Sequence, residues 1–478
     1  MAIRKLFIAN RGEIAVRIIR AAKEMGITTV QAVSAADLDM LAARLADAVA
    51  PVGPAHATKS YLNKDAVLKA AIDSGCDAVH PGYGFLSENA DFAEMVETAG
   101  LVFVGPKAET IRAMGDKATA RGMAMKAGVP TVPGSEGRVA GIDEARHVAA
   151  EIGYPVMIKA SAGGGGRGIR VADTPADLDQ LIPQASAEAL AAFGDGGLYL
   201  ERFVHRARHV EVQILGDGEN AIHVYERECS LQRRRQKVWE EAPAACLAPA
   251  VRDALCASAV RLAKSVNYRG AGTLEYLYDA ESGEFFFIEM NTRIQVEHPV
   301  SEMITGIDLV REMIRVAGGE KLSLTQDQVR ASGHAIEVRI NAEDPAKNFM
   351  PAPGAISALN VPGGMGVRFD TMLYAGYTVP PFYDSLLGKL IVWDTTREGA
   401  IARLVRALGE LTVEGVPTTV ALHLALASDP DVRAGEFHTR WLETWLAAHP
   451  LAPAASQSKS QSTSQSTSQS TPSLPRSA

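Results

Sequence analysis

An apolar run that turns into alternating charge, Phe285-Phe-Phe-Ile-Glu-Met-Asn-Thr-Arg-Ile-Gln-Val-Glu297, constrains this chain more than any other stretch. From Glu289 onward every second residue is polar: Glu289, Asn291, Arg293, Gln295 and Glu297. Side chains two apart share one face of a strand. The spacing therefore predicts one face carrying Phe286, Ile288 and Met290 into a core, and another presenting carboxylates, amides and a guanidinium. A solvated strand also shows mixed polar residues. This row, however, follows directly on an apolar run and ends in His298-Pro299, which is the pattern of a site rather than of a wetted face.

A further carboxylate supports that reading. Gly270-Ala-Gly-Thr-Leu-Glu275-Tyr-Leu-Tyr278 reads as a strand, and Asp279 to Gly283 as the turn of a hairpin that carries Glu275 towards Glu289 and Asn291. Oxygen ligands without Cys or His suit a hard cation, and Mg²⁺ commonly binds nucleotide phosphates as well. A Mg-ATP site is expected there. Upstream, Tyr154-Pro-Val-Met-Ile-Lys159 is a short apolar strand ending in a lysine, and Gly163, Gly164, Gly165 and Gly166 follow. Consecutive glycines let backbone N–H groups approach an anion closely. Gly163, Gly165 and Gly168 match G-x-G-x-x-G literally, but Ile169 to Ala172 reads as a strand rather than a helix start. The loop is then a hairpin tip able to close over phosphates. A flexible linker would not need Lys159 before it and a strand after it.

Three strings, Lys159 to Gly168, Glu289 to His298 and His80-Pro-Gly-Tyr-Gly-Phe-Leu-Ser-Glu-Asn89, together resemble those of biotin carboxylases, which are ATP-grasp enzymes. The resemblance runs from Lys5 to about Pro417. It implies an α/β fold with an N-terminal open parallel-sheet domain (1–115), an ATP-grasp domain (116–330) with a mobile glycine-loop lid at about 132–201, and a C-terminal α+β domain (331–447). It further implies that Lys117, Lys159, the glycines, Glu201, His209, Gln232, Arg235, Glu275, Leu277 and Glu289 bind ATP. Glu275, Glu289 and Asn291 would hold Mg²⁺ or Mn²⁺. Lys237, Arg293, Gln295 and Val296 would bind bicarbonate, with Glu297 as base, and Tyr83 and Arg339 would face biotin. Lys237, Arg293 and Glu297 are thus the implied catalytic residues.

The expected activity is ATP- and bicarbonate-dependent carboxylation of biotin on a biotin carboxyl carrier protein, through carboxyphosphate. The acceptor expected beyond it is acetyl-CoA, for fatty acid biosynthesis, by way of separate carboxyltransferase subunits. Propionyl-CoA, pyruvate and 2-oxoglutarate carboxylases are the alternatives. Further alternatives are a carbamoyl-phosphate synthetase half, the purine-pathway carboxyaminoimidazole synthase, and a regulatory ATP-binding subunit without turnover. Two positions depart from the family pattern: Arg235 where a histidine is usual near the nucleotide sugar, and Trp239 where a smaller aliphatic residue is common. A homodimer is implied, with Arg20, Glu24, Met365 and Arg368 matching interface positions. Arg20 and Glu24 also have the spacing of an i,i+4 ion pair.

Composition agrees with a cytoplasmic enzyme. A net charge of −8 gives no reason to expect nucleic acid or an anionic membrane, and no apolar stretch approaches bilayer length. Met1-Ala-Ile-Arg-Lys leads into a strand rather than a signal peptide. The cysteines Cys76, Cys229, Cys246 and Cys256 lack C-x-x-C spacing and are expected as free thiols. Ala124-Met-Lys126 reads as a helix, not as a biotin attachment hairpin. The histidines show no zinc spacing, and Arg233-Arg-Arg235 is too short for a nucleic-acid patch. Lys5 to Ala9, Glu13 to Met25 and Thr28 to Val33 form a β-α-β unit, with Gly82-Tyr-Gly after a strand at the ligand-binding edge of such sheets. From Pro453 the chain is mostly Ser, Gln and Thr, a composition expected to stay disordered. Truncation after Pro450 is expected to leave biotin carboxylation and the thermal midpoint unchanged; calorimetry showing a lowered midpoint would place the tail on the fold.

Overall fold

The computed structural model describes residues 2–160 and 169–451; the glycines at 163–166 and the Ser/Gln/Thr tail lie outside them. Strands β1 (Lys5–Ile8), β2 (Thr28–Ser34), β3 (Ala48–Gly53), β4 (Ala78–His80) and β5 (Val102–Phe103) form a parallel sheet in the order β3-β2-β1-β4-β5. Between β1 and β2 runs helix α1 (Gly12–Glu24), which buries Ile14, Ile18 and Ala22. It stops at Gly26, whose φ of +72° suits a residue without Cβ. The sequence expectation for this β-α-β unit holds.

Strands β6 (Val156–Ala160), β7 (Ile169–Ala172) and β8 (Leu198–Arg202) form a small antiparallel sheet, β7-β6-β8, backed by helices Ile142–Ile152 and Pro175–Phe193. As expected, β6 and β7 are the two arms of a hairpin flanking the glycine run.

The main body is an eight-stranded antiparallel sheet. Its strands are β9 (Ala207–Asp217), β10 (Ala221–Arg233), β11 (Gln236–Ala242), β12 (Arg269–Asp279), β13 (Phe285–Asn291), β14 (His334–Asn341), Leu386–Asp394 and Val367–Thr371. In space the order is β13-β12-β9-β10-β11-β14, then Leu386–Asp394 and Val367–Thr371. One sheet thus continues across position 330. Lys117–Lys126 is helical, so Lys126 lies on a helix as expected. Among the described residues, no helix is long and apolar enough to cross a membrane.

The site-bearing strand departs from simple alternation. β12 and β13 pair as a hairpin, with Tyr276 opposite Phe287 and Glu275 opposite Glu289, so Ile288 faces no partner residue. That is a β-bulge, a device common beside active sites. The extra residue shifts the phase. Phe287, 3% exposed, joins Met290 in the core, whereas Ile288 is 40% exposed. Phe286 lies under the guanidinium of Arg202. Of the expected core face, Phe286 and Met290 are buried as expected at 4% exposure each, and Ile288 is corrected to Phe287. The strand also ends at Asn291, so Arg293, Gln295 and Glu297 sit in the connection to helix His298–Thr305.

At the expected dimer positions, Arg20 and Glu24 are exposed and Met365 is 82% exposed. Glu24 pairs with Arg311 at 3.6 Å rather than forming the i,i+4 pair with Arg20. Arg368 is tied inward, 2.7 Å from Glu302 and 2.6 Å from Asp370.

The bulge predicts an asymmetry between neighbours. Phe287→Ala is expected to cost about 3–5 kcal/mol, and Ile288→Ala no more than about 0.5 kcal/mol. Urea titration of both variants checks this, and equal losses would mean that the bulge is misplaced.

Candidate active site

A row of charge crosses four neighbouring strands. Glu289 on β13 faces Glu275 on β12, Glu275 faces Glu211 on β9, and Glu211 faces Arg227 on β10. Directly opposed residues lie on one face with Cβ atoms only about 4.5–5.5 Å apart, and like charges so placed repel. Three carboxylates in line, two of them buried, therefore demand cations.

Lys237, at the start of β11, supplies the main one. Its ammonium contacts Glu211 and lies 3.1 Å from Glu275 and 2.7 Å from Glu297. Arg227, fully buried, donates to Glu211 (2.9 Å), Gln213 (2.8 Å), Thr273 (2.9 Å) and Gln295 (2.5 Å). His209 Nε2 lies 2.9 Å from Glu211 and 3.2 Å from Glu275. Burial opposes a charged ring, but Glu275 and Glu211 hold His209 at about 9. His209 thus joins Glu211 and Glu275 in one ion network.

Glu297 caps helix His298–Thr305 and is 2% exposed. Burial alone would push its carboxyl up, but Lys237, Arg339 and Arg227 hold it at about 2. Arg339 Nη2 donates to it at 3.1 Å and Arg339 Nε to Glu240 at 2.7 Å. Arg293 donates to Glu88 (2.8 Å) and Asn291 (2.9 Å). Gln295 and Asn291 both donate to Glu275, at 2.8 and 2.9 Å. Of the residues expected for bicarbonate and for base catalysis, Lys237 and Glu297 meet directly, Gln295 joins them through Glu275, and Arg293 is linked through Asn291.

A cavity of about 250 Å³ opens beside this centre, lined by Tyr83, Lys237, Val296, Arg339, Phe349 and Asp384 among others. Tyr83 donates its hydroxyl to Glu13, Glu13 lies 3.2 Å from the buried Lys389, and Lys389 donates to the Val296 carbonyl at 2.7 Å. Gly82, at φ +62°, makes the turn that delivers Tyr83; a Cβ there would meet the Asn10 amide at 2.9 Å. The expected pair Tyr83 and Arg339 thus share one cavity with Lys237.

On the other side, Lys117 is 85% exposed and lies 4.0 Å from Glu289. Burial and the charge of Glu275 push the Glu289 carboxyl up. Glu289, Glu275 and Asn291 form an oxygen donor set whose repulsion a hard divalent cation offsets, so these residues fit Mg²⁺. Lys159 pairs with Glu201 across β6 and β8. Leu277 faces His209 across β12 and β9, and Gln232 donates to the Cys229 carbonyl at 2.8 Å. Arg234 and Arg235 occupy a two-residue turn joining β10 and β11, at φ +49° and +67°, and Arg235 is exposed. Trp239 is buried in the core with Ile336 and Val338, apart from the ion network. The residues that the sequence reading missed are Glu211, Arg227, Lys389, Glu13 and Glu88. A lysine inside the apolar strand Leu386–Asp394 was a usable signal.

Three family descriptions match: biotin carboxylase, N-terminal domain (2–111), carbamoyl-phosphate synthase L chain, ATP binding domain (116–325), and biotin carboxylase C-terminal domain (337–444). The chain is 52% identical to biotin carboxylase 1 of Bacillus subtilis, over 93% of this chain and 99% of that protein. It is 47% identical to a pyruvate carboxylase subunit of Methanothermobacter thermautotrophicus, over 92% and 90% respectively. It is also similar to the biotin carboxylase domain dimer of Hydrogenobacter thermophilus 2-oxoglutarate carboxylase, crystallised with MgADP, ADP and bicarbonate. That match has a TM-score of 0.84 and 46% identity, covering 93% of this chain and 98% of that one.

Removing the shared cation exposes the carboxylates to one another. Lys237→Met is expected to cost about 3–5 kcal/mol near neutral pH. In the wild type, Glu297 at about 2 lies below its unfolded value of roughly 4.3. Its contribution is therefore full above about pH 4.3 and is lost as pH falls through 2. In Lys237→Met the folded pKa of these carboxylates rises, so the deficit against wild type should widen from pH 4 to pH 7. Denaturation at several pH values checks it, and a pH-independent deficit would contradict the charge account.

Proposed function

This chain belongs to the biotin carboxylase family and is a ligase that carboxylates biotin with ATP, and from that premise we propose that it acts on the biotin of a carrier protein as the first half-reaction of acetyl-CoA carboxylase. The observation that supports this chemistry is the contact of Glu297 with both Lys237 and Arg339, two residues that line one cavity with Tyr83.

Bicarbonate is an anion that must meet an anionic γ-phosphate. It needs cations to offset repulsion and a carboxylate to take its proton. At rest, Lys237 is spent on Glu211, Glu275 and Glu297. Substrate anions that draw Lys237 towards themselves remove positive charge from Glu297, and its basicity rises from the resting value of about 2. Glu297 then takes the bicarbonate proton as an oxygen of bicarbonate attacks the γ-phosphorus and ADP leaves. The carboxyphosphate splits to CO₂ and phosphate. Phosphate removes the ureido N–H proton of biotin, and that nitrogen attacks CO₂ while Arg339 balances the enolate-like oxygen. Magnesium or manganese, held by Glu275, Glu289 and Asn291, would supply charge neutralisation of the nucleotide phosphates. Lys117, Lys159, Glu201, His209, Gln232, Arg235, Leu277 and the glycines at 163–166, which lie outside the described residues, are assigned to ATP.

Identity is higher to the Bacillus biotin carboxylase than to the Methanothermobacter pyruvate carboxylase subunit, which favours the biotin carboxylases named without an oxo acid acceptor. The pyruvate and 2-oxoglutarate names among its relatives keep a second reading in view. A homodimer through the face of Arg20, Glu24, Met365 and Arg368, and separate carboxyltransferase subunits, belong to the proposal. Purification with the native biotinylated carrier, followed by an acyl-acceptor screen, tests the acceptor; carboxylation of pyruvate but not acetyl-CoA would overturn it.

For the base, Glu297→Gln is expected to keep ATP binding and to lose biotin-dependent turnover by at least about a hundredfold. Near-normal carboxylation by that variant would take Glu297 out of the role.

A further inference from the structure

Behind Arg339 lies a pair of acids that the reaction above does not use. Glu240 on β11 and Glu337 on β14 are directly opposed in the antiparallel register, and both are 0% exposed. Opposed side chains share a face at about 4.5–5.5 Å between Cβ atoms, within reach of a carboxyl–carboxyl hydrogen bond. Their surroundings on that face are apolar: Ala242, Ala335 and Ile391 from the sheet, with Val300 and Ile304 from helix His298–Thr305 above. Among the described residues, neither oxygen of Glu337 has a hydrogen-bond partner, and Glu240 Oε2 has none either. Only Glu240 Oε1 is engaged, by Arg339 Nε at 2.7 Å.

The charged groups facing the pair come from every packed element. β14 adds Arg339, which is divided between Glu240 and Glu297. Strand Leu386–Asp394 adds Lys389, already bound to Val296 and Glu13. The approach to helix His298–Thr305 adds Glu297, and β11 adds Lys237, already shared among Glu211, Glu275 and Glu297. Two full negative charges cannot share so dry a space when the one guanidinium bound to them is itself divided between Glu240 and Glu297. Burial pushes both carboxyls up, Glu240 to about 7 and Glu337 well above the ordinary range, with Arg339 and Lys389 opposing.

We propose that Glu240 and Glu337 share one proton, carried by Glu337, and that Glu337 is thereby a positioning residue for Arg339. A neutral Glu337 donates its O–H to the unpartnered Oε2 of Glu240. Glu240 then stays anionic, its other oxygen holds Arg339 Nε, and the guanidinium is aimed between Glu297 and the Tyr83 cavity. This rests on the assignment of Arg339 to biotin made above.

Two measurements separate the proposal from that assignment. Infrared spectroscopy of the substrate-free enzyme at neutral pH should show the carbonyl stretch of a buried, protonated carboxylic acid that disappears in Glu337→Gln. This readout needs no biotin. Glu337→Gln keeps a neutral donor for Glu240 and should hold biotin-dependent turnover within about threefold of wild type, with an unmoved pH profile. Glu337→Leu removes the donor. Glu240 then protonates more readily, and biotin-dependent kcat/KM should fall by at least tenfold, with its acid limb moved to higher pH and bicarbonate-dependent ATP hydrolysis without biotin little changed. An unaltered infrared spectrum in Glu337→Gln overturns the shared proton, including where Glu337→Leu does not fold. Equal loss of both activities in Glu337→Gln and Glu337→Leu, with no movement of the acid limb, reduces Glu337 to packing and overturns the positioning role. If the infrared band behaves as expected but Arg339→Met retains biotin turnover, the proton pair stands and the biotin assignment of Arg339 fails.

Discussion

Three carboxylates in line across β13, β12 and β9 are the constraint on which the site depends. Glu289, Glu275 and Glu211 occupy directly opposed positions, and a sheet that places like charges so close must supply cations to fold. Arg227 answers from β10, His209 from β9 and Lys237 from β11, so β9, β10, β11 and β12 are held together by the charges that the chemistry needs. The same debt of positive charge explains how the resting site stays intact. Lys237 satisfies the protein while the site awaits anions, and becomes the natural partner of those anions when they arrive. A buried ion network of this kind contributes little to net stability compared with apolar packing, but removing a single member is costly.

The N-terminal parallel sheet is part of the same arrangement. Glu13 on α1 meets Lys389 on the large sheet, and Lys389 holds the carbonyl of Val296 beside Glu297. Arg17 on α1 lies 3.0 Å from Glu302, which also binds Arg368. The helix that Glu297 caps is therefore clamped from two sides. Arg368 lies on the face proposed for dimer formation and reaches this helix through Glu302.

Much of this was legible in the chain, for identifiable reasons. Asp279 to Gly283 marks a turn, so the facing of Glu275 and Glu289 followed from the hairpin. The strand phase failed because periodicity cannot reveal one inserted residue; the bulge at Ile288 moved Phe287 inward and Ile288 outward. Gln295 and Glu297 reach the same charge network even though the strand ends before them, through Glu275 and Lys237. Glu211 and Arg227 were invisible because Val210-Glu211-Val212-Gln213 reads equally well as a half-solvated strand, and only pairing with β12 and β10 shows the polar face to be interior. Glu337 was hidden in the same way: within His334–Asn341 nothing local tells a buried acid from a wetted one.

The account's central claim is that the Lys237–Glu297 centre directs bicarbonate, rather than water, at the γ-phosphate. The most direct measurement is the fate of oxygen when the enzyme hydrolyses ATP in the presence of ¹⁸O-labelled bicarbonate. If bicarbonate attacks phosphorus, the released phosphate carries one bicarbonate oxygen, because the bond that breaks next joins that oxygen to carbon. Phosphate that takes its oxygen from water under the same conditions would contradict the claim.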